Sequence, residues 1–95
     1  MKLERELEKE VTNYARKVGI LSFKFTSPGR RGVPDRILIG PGGTVFLELK
    51  REGEKPTKLQ RHYIDAINDS GGTALWADNF GACKDIIDGL RREKL

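Results

Sequence analysis

Val33-Pro34-Asp35-Arg36-Ile37-Leu38-Ile39, Gly40-Pro41-Gly42-Gly43 and Thr44-Val45-Phe46-Leu47-Glu48-Leu49-Lys50 follow one another without a break. Two runs of β-branched, aliphatic and aromatic residues on either side of a Gly/Pro cluster read as a β-hairpin. Side chains alternate along a strand, so Val45, Leu47 and Leu49 share one face while Phe46, Glu48 and Lys50 share the other. A loop of four residues, Gly40 to Gly43, pairs Ile39 with Thr44 and brings Asp35 opposite Glu48 on one face. Taken singly, Asp35 is an ordinary turn residue after Pro34, and Glu-x-Lys is a common tripeptide. The register makes them a pair. Two facing carboxylates repel, and charge in a short apolar strand is costly unless it is paired or binds a cation. A divalent cation between them removes the conflict.

Outward from the hairpin, Leu3, Leu7, Val11, Tyr14 and Val18 recur at helical spacing, so a first helix is expected from about Lys2 to Val18, stopped by Gly19. Ile20 to Thr26 alternates Leu21, Phe23 and Phe25 with Ser22, Lys24 and Thr26 and reads as a strand. Ser27 to Gly32 is a loop by composition. After the hairpin, Thr57 is placed to cap a helix carrying Leu59, Tyr63, Ala66 and Ile67, ended by Gly71-Gly72. Thr73 to Ala77 is a fourth strand, and Asp78 or Asn79 caps a last helix with Phe80, Cys83, Ile86, Ile87 and Leu90 inward. The order α-β-β-β-α-β-α indicates one α/β domain over residues 1–95, with a mixed four-stranded sheet and helices on its faces.

Composition narrows the class. The chain has 95 residues, enough for one small core. No apolar run approaches the length of a membrane span, and Met1-Lys2-Leu3-Glu4-Arg5-Glu6 does not read as a signal peptide. The single cysteine, Cys83, permits no internal disulfide and no cysteine-rich zinc site, and its helical face places it in the core. His62, the single histidine, is expected partly buried on its helix. Neither GxGxxG nor GxxxxGK[ST] occurs, which argues against a nucleotide cofactor. The formal net charge is +4. Its positive excess gathers around Lys24, Arg30, Arg31 and Arg36, and again around Arg51, Lys55, Lys58 and Arg61, a distribution suited to a polyanion.

Gly32-Val33-Pro34-Asp35, Phe46-Leu47-Glu48-Leu49-Lys50 and Pro56-Thr57-Lys58-Leu59-Gln60, in this order, resemble the motifs of the virus-type replication-repair nuclease domain, VRR-NUC, of the PD-(D/E)XK superfamily. The resemblance implies the restriction-endonuclease-like core and metal-dependent phosphodiester hydrolysis. It implies Glu10, Asp35, Glu48 and the Leu49 carbonyl as metal ligands for Mg²⁺, with Mn²⁺ as substitute. It implies Asp35, Glu48, Lys50 and Gln60 as catalytic residues. The small size is similar to free-standing viral members. These imply a homodimer cutting branched DNA such as four-way (Holliday) junctions, in the cytoplasm of a bacterial host cell and with no membrane partner.

The residues suit that chemistry. A hard cation polarises a phosphate and acidifies bound water, and Mg²⁺ keeps several waters beside its carboxylates. Glu10 stands at the margin of the first helix's apolar stripe, whereas Glu4, Glu6 and Glu8 are expected to be solvent charges. Lys50 can orient the attacking water or stabilise charge on the phosphate; as a general base it would need a lowered pKa. Arg30 and Arg31, on the loop before Asp35, are placed to hold flanking phosphates, with Lys24, Lys58 and Arg61 as further contacts. The strand around Trp76 with the last helix is the expected dimer interface. A DNA-binding module that keeps the fold without cutting is the alternative reading, and a small interaction protein with an incidental acidic patch is a third.

Overall fold

The computed structural model describes residues 1–93. The elements follow the expected order: α1 (Glu4–Lys17), β1 (Leu21–Lys24), β2 (Arg36–Gly40), β3 (Gly43–Leu49), α2 (Lys58–Asp69), β4 (Ala74–Ala77) and α3 (Phe80–Leu90). The strands lie side by side in sequence order, β1-β2-β3-β4. The first two pairings are antiparallel and β3 with β4 is parallel, which makes the sheet mixed. A parallel partner requires a crossover, and α2 supplies it.

The hairpin register is the one the sequence predicts: Ile39 faces Thr44 and Arg36 faces Leu47, so the next rung outward sets Asp35 against Glu48. The turn is tighter than expected. Gly40 pairs with Gly43, leaving only Pro41 and Gly42 between them. The turn also docks on the end of α3, where the Gly42 N–H donates to the Leu90 carbonyl at 2.9 Å. A Cβ on Gly42 would stand 2.6 Å from the Arg92 carbonyl oxygen, so no larger residue fits without displacing α3.

One sheet face is dry. Leu38, Val45, Leu47, Leu49 and Ala77 point at Leu7, Val11 and Ala15 of α1 and at Cys83, Ile87 and Leu90 of α3. Each fully buried aliphatic side chain of this kind contributes about 1.5–3 kcal/mol of transfer free energy. Cys83 lies in this core as expected, and its thiol is pushed up to about 11, chiefly by burial. The opposite face is only partly covered. Leu21 and Phe23, expected to form the apolar side of β1, are each more than half exposed, because β1 is an edge strand whose apolar face has no helix on it. On α2 the buried residue is Ile64, and His62 is exposed rather than partly buried. No helix among the described residues is long and apolar enough to cross a membrane.

Candidate active site

The site forms where β2 begins and β3 ends. Pro34 is fully buried, which anchors the residue before Asp35. The Phe25 N–H donates to the Asp35 carbonyl at 2.7 Å, extending the β1–β2 ladder one rung and holding Asp35 in line with the strand. Across from it Glu48 is only 6% exposed. The rung beyond sets Leu49 opposite Pro34. Bonds from the N–H groups of Phe46 and Lys50 to the Thr73 and Ala77 carbonyls show that the even-numbered backbone groups of this strand serve β4. Leu49 therefore turns its carbonyl toward β2, where Pro34 has no N–H to donate, and the ladder leaves that oxygen free.

Lys50, also 6% exposed, is held by α2 and by the β3–α2 loop. Its ammonium donates to Gln60 Oε1 at 3.1 Å and stands 3.1 Å from Glu54 Oε1. Gln60 is oriented by a capping box: its N–H donates to Thr57 Oγ1 (3.2 Å), and its Oε1 accepts from the Thr57 N–H (2.9 Å). The same amide donates from Nε2 to Glu48 Oε2 at 3.3 Å. One helix cap thus fixes the residue that joins Glu48 to Lys50. The Thr-x-x-Gln spacing was the available signal for this role. Leu59 seats the start of α2 on Gly32, whose φ is +87° and where a Cβ would stand 2.7 Å from Leu59 Cγ. The glycine is needed both for its left-handed conformation and for this close approach.

Glu48 is raised from its ordinary 4.5 to about 7, first by burial and then by the charge of Asp35, with Lys50 pulling the other way and Glu4 adding a further push. A carboxylate desolvated beside another carboxylate is the electrostatic condition a cation relieves. The donors on hand are two carboxylates and a free carbonyl, all oxygen, which fits Mg²⁺ or Mn²⁺, since Mg²⁺ takes one or two protein carboxylates and fills its sphere with water and phosphate. Among the described residues no three His, Cys, Asp or Glu side chains form a complete cage.

Glu10 is not brought to this pair. It forms an ion pair with Lys2, and its charge is felt at Cys83 on α3, on the far flank of α1. Two of the three glutamates expected in solvent, Glu4 and Glu8, occupy the near flank. Glu4 is raised by burial and by Asp35, with Glu54 and Glu8 adding to the effect against Lys50. Glu8 stands 3.3 Å from Arg36. At 3.6 residues per turn, Glu10 points about 120° away from Glu4. Both flanks border the apolar stripe, and periodicity does not tell which one meets the sheet's charged end. Of the carboxylates on α1, it is Glu4 whose charge is felt at Glu48.

The basic residues expected to meet phosphates are all exposed. Arg30 and Arg31 lie on the loop that leads into Asp35, Lys24 ends β1 opposite Arg36, and Lys58 and Arg61 flank Gln60 on α2. Arg36, grouped with them by charge, is instead buried.

No sequence-family model matches the chain. A protein described as "Putative nuclease p44", of Acyrthosiphon pisum secondary endosymbiont phage 1, is 51% identical over 63 residues, covering 63% of this chain and 68% of the phage protein. A solved structure described as "VRR_NUC domain" superposes with a TM-score of 0.80 at 26% identity, covering 93% of this chain and 97% of the other. The chain belongs to the VRR-NUC family. A second solved structure, "VRR_NUC domain protein", shares the fold with a TM-score of 0.70 at 22% identity, over 90% of this chain and 85% of that one. The mixed sheet described above is thus the VRR-NUC form of the PD-(D/E)XK-like nuclease fold.

Proposed function

We propose that this VRR-NUC chain is a metal-dependent endonuclease that hydrolyses phosphodiester bonds in branched DNA, four-way junctions among them. The observation that carries the reading is the opposed Asp35–Glu48 pair, with Glu48 raised to about 7 and Lys50 two residues further along the same face. Asp35, Glu48 and the Leu49 carbonyl would hold Mg²⁺, or Mn²⁺ in its place. When bound, the ion polarises the phosphate and lowers the pKa of a coordinated water. Lys50 supplies an ammonium at the reacting phosphate and stabilises the charge that develops there. Gln60 keeps Lys50 and Glu48 in register through the Thr57 cap. Arg30, Arg31, Lys24, Lys58 and Arg61 hold flanking phosphates without reading sequence. The phage relative supports a viral nuclease working in the cytoplasm of a host cell.

A four-way junction offers two symmetry-related strands, and a two-fold dimer would meet them with two copies of the site. A second candidate surface for such a dimer stands beside the one the sequence suggests. The inward side of α3 is spent on the core, and Trp76 is half-buried. On the free edge of β4, the Asn68 side chain occupies both the N–H and the C=O of Ala74, at 2.8 and 3.0 Å. Among the described residues the edge at β1 is uncapped, and it carries Leu21 and Phe23, 54% and 51% exposed, a combination that invites pairing with another strand.

The test is cleavage of a panel of junction, flap, nicked and linear DNAs with Mg²⁺, Mn²⁺, Ca²⁺ or EDTA. We expect cutting of branched DNA with Mg²⁺ or Mn²⁺ and none with Ca²⁺ or EDTA. DNA affinity without cutting in any metal would contradict this and favour a non-cleaving DNA-binding module.

A further inference from the structure

We propose that Glu54 is a displaceable counterion of Lys50, holding in the DNA-free protein the place that a DNA phosphate takes at that ammonium and so tuning the affinity for DNA; this rests on the nuclease reading of the site. Lys50 is 6% exposed, and its ammonium has two acceptors of different kinds. Gln60 Oε1, at 3.1 Å, is fixed by the Thr57 cap. Glu54 Oε1, also at 3.1 Å, comes from the β3–α2 loop on a side chain that is 44% exposed. The carboxylate is therefore the solvent side of the pair. A phosphate carries the same sign of charge as Glu54, so the two repel if they share the ammonium, and one must give way. Glu54 is the easier to move. Ion pairs this exposed shift an equilibrium by no more than about fivefold. A phosphate on an ammonium gains charge-assisted hydrogen bonds, and in DNA it also releases counterions. The side chain has a second resting place, since its other oxygen, Oε2, already stands 3.7 Å from Arg51 Nη2. The swing needs no movement of the loop, whose backbone is stitched down. The Glu52 N–H donates to the Lys2 carbonyl (3.3 Å), the Lys2 N–H donates to Glu52 Oε2 (3.1 Å), and the Gly53 N–H donates to Asp78 Oδ2 (3.0 Å). The Glu54 N–H itself donates to the Arg51 carbonyl at 2.8 Å. This pinned backbone keeps Glu54 within reach of Lys50 when DNA leaves, and Gln60 keeps Lys50 in place when DNA arrives.

The experiment is a double-mutant cycle on wild type, Glu54→Gln, Lys50→Met and the Glu54→Gln/Lys50→Met double variant. Each is titrated against a four-way junction DNA in EDTA, so that binding is read without cutting. The kcat and KM of wild type and Glu54→Gln are measured on the same DNA with Mg²⁺, and thermal midpoints are taken for all four, with Lys50→Gln repeating the cycle if Lys50→Met unfolds. Glu54→Gln is expected to tighten binding about two- to fivefold and to lower KM by a similar factor, with kcat within about twofold of wild type. In the Lys50→Met background the same substitution should change affinity by less than about 1.5-fold, because no ammonium is left to contest. Equal gains in both backgrounds would reduce Glu54 to general charge repulsion and overturn the proposal. Unchanged affinity in Glu54→Gln would also overturn it. So would a fall in kcat at constant affinity, the mark of a carboxylate that stays on Lys50 through the reaction. The binding cycle needs no cleavage, so a chain that binds the junction and cuts nothing with Mg²⁺ would overturn the nuclease reading while the cycle still decides the role of Glu54.

Discussion

Two carboxylates in this molecule, Glu48 and Asp88, are displaced in opposite directions. Glu48 is raised to about 7 by burial and by its neighbour Asp35. Asp88, near the end of α3, is held down at about 2 because the Tyr14 hydroxyl donates to it at 2.6 Å, Lys84 bonds it at 2.9 Å, and Arg91 stands 3.4 Å away. The Asp88 cluster is electrically complete: one acid, two bases and a phenol fasten α1 to α3. The Glu48 cluster is electrically incomplete, with the charge of Asp35 opposing that of Glu48 and Lys50 shared with Glu54. A staple satisfies its charges, whereas a site proposed to receive a cation leaves them unsatisfied.

The largest effect should come from removing charge at the incomplete cluster. Asp35→Asn or Glu48→Gln is expected to lower cleavage about 10³-fold or more, while DNA affinity survives or rises, because negative charge beside phosphates is removed. Single-turnover rates and binding isotherms on one junction check both halves. Full activity in either variant would make the two clusters equivalent and end the comparison.

The same substitution should stabilise the metal-free fold. The folded protein raises the pKa of Glu48, so the contribution of this group to stability is complete below the ordinary carboxylate range and is lost as pH rises through about 7. Glu48→Gln should therefore match wild type near pH 4 and exceed it by about 2–3 kcal/mol at pH 8 in denaturant unfolding with EDTA. Asp88 should behave oppositely. Its folded pKa is depressed, so its contribution is present above the ordinary carboxylate range and is lost as pH falls toward about 2. Asp88→Asn should lower the thermal midpoint at pH 7, with the deficit closing in strong acid. Tyr14→Phe, which removes the hydroxyl that donates to Asp88, should lower the thermal midpoint slightly and leave kcat unchanged.

The smallest effects should lie on the exposed arginines. Arg30→Ala or Arg31→Ala should weaken DNA binding across sequences and reduce the slope of log affinity against log salt by about 1 each. Titrations at several salt concentrations give the slope, and a loss confined to some sequences would mean the loop reads bases.

Much of this site is legible in the chain because it follows from strand arithmetic. Alternation in β3 separates Leu47 from Glu48, and a turn within the Gly40–Gly43 segment leaves one register that opposes Glu48 to Asp35. That register survives a turn shorter than the expected loop, because moving the paired glycines into the strands adds a rung without sliding it. The helical contribution is less legible. The heptad-like stripe through Leu7, Val11 and Tyr14 places Glu4 and Glu8 on one flank and Glu10 on the other, and only the docking of α1 on the sheet decides between them. Arg36 carried a readable signal: it shares parity with Leu38, the dry side, and a charge there called for a partner from the covering helix. Glu54 carried none, since its approach to Lys50 depends on the path of a loop. The apolar alternation of β1 is correctly read as a strand, but alternation does not say whether the apolar side is covered.

The proposed metal centre is tested most directly by a calorimetric titration of Mg²⁺ and Mn²⁺ into the wild-type protein at pH 6 and pH 8, with Asp35→Asn and Glu48→Gln alongside. An ion that needs Glu48 ionised competes with the proton that Glu48 carries below about 7. The expected result is saturable binding that is tighter at pH 8, by about tenfold if the single Glu48 proton accounts for the difference, with proton release at pH 6 and loss of binding in both variants. Equal metal binding by wild type and both variants, or no binding at either pH, would contradict the assignment of the Asp35–Glu48 pair as the metal-binding centre.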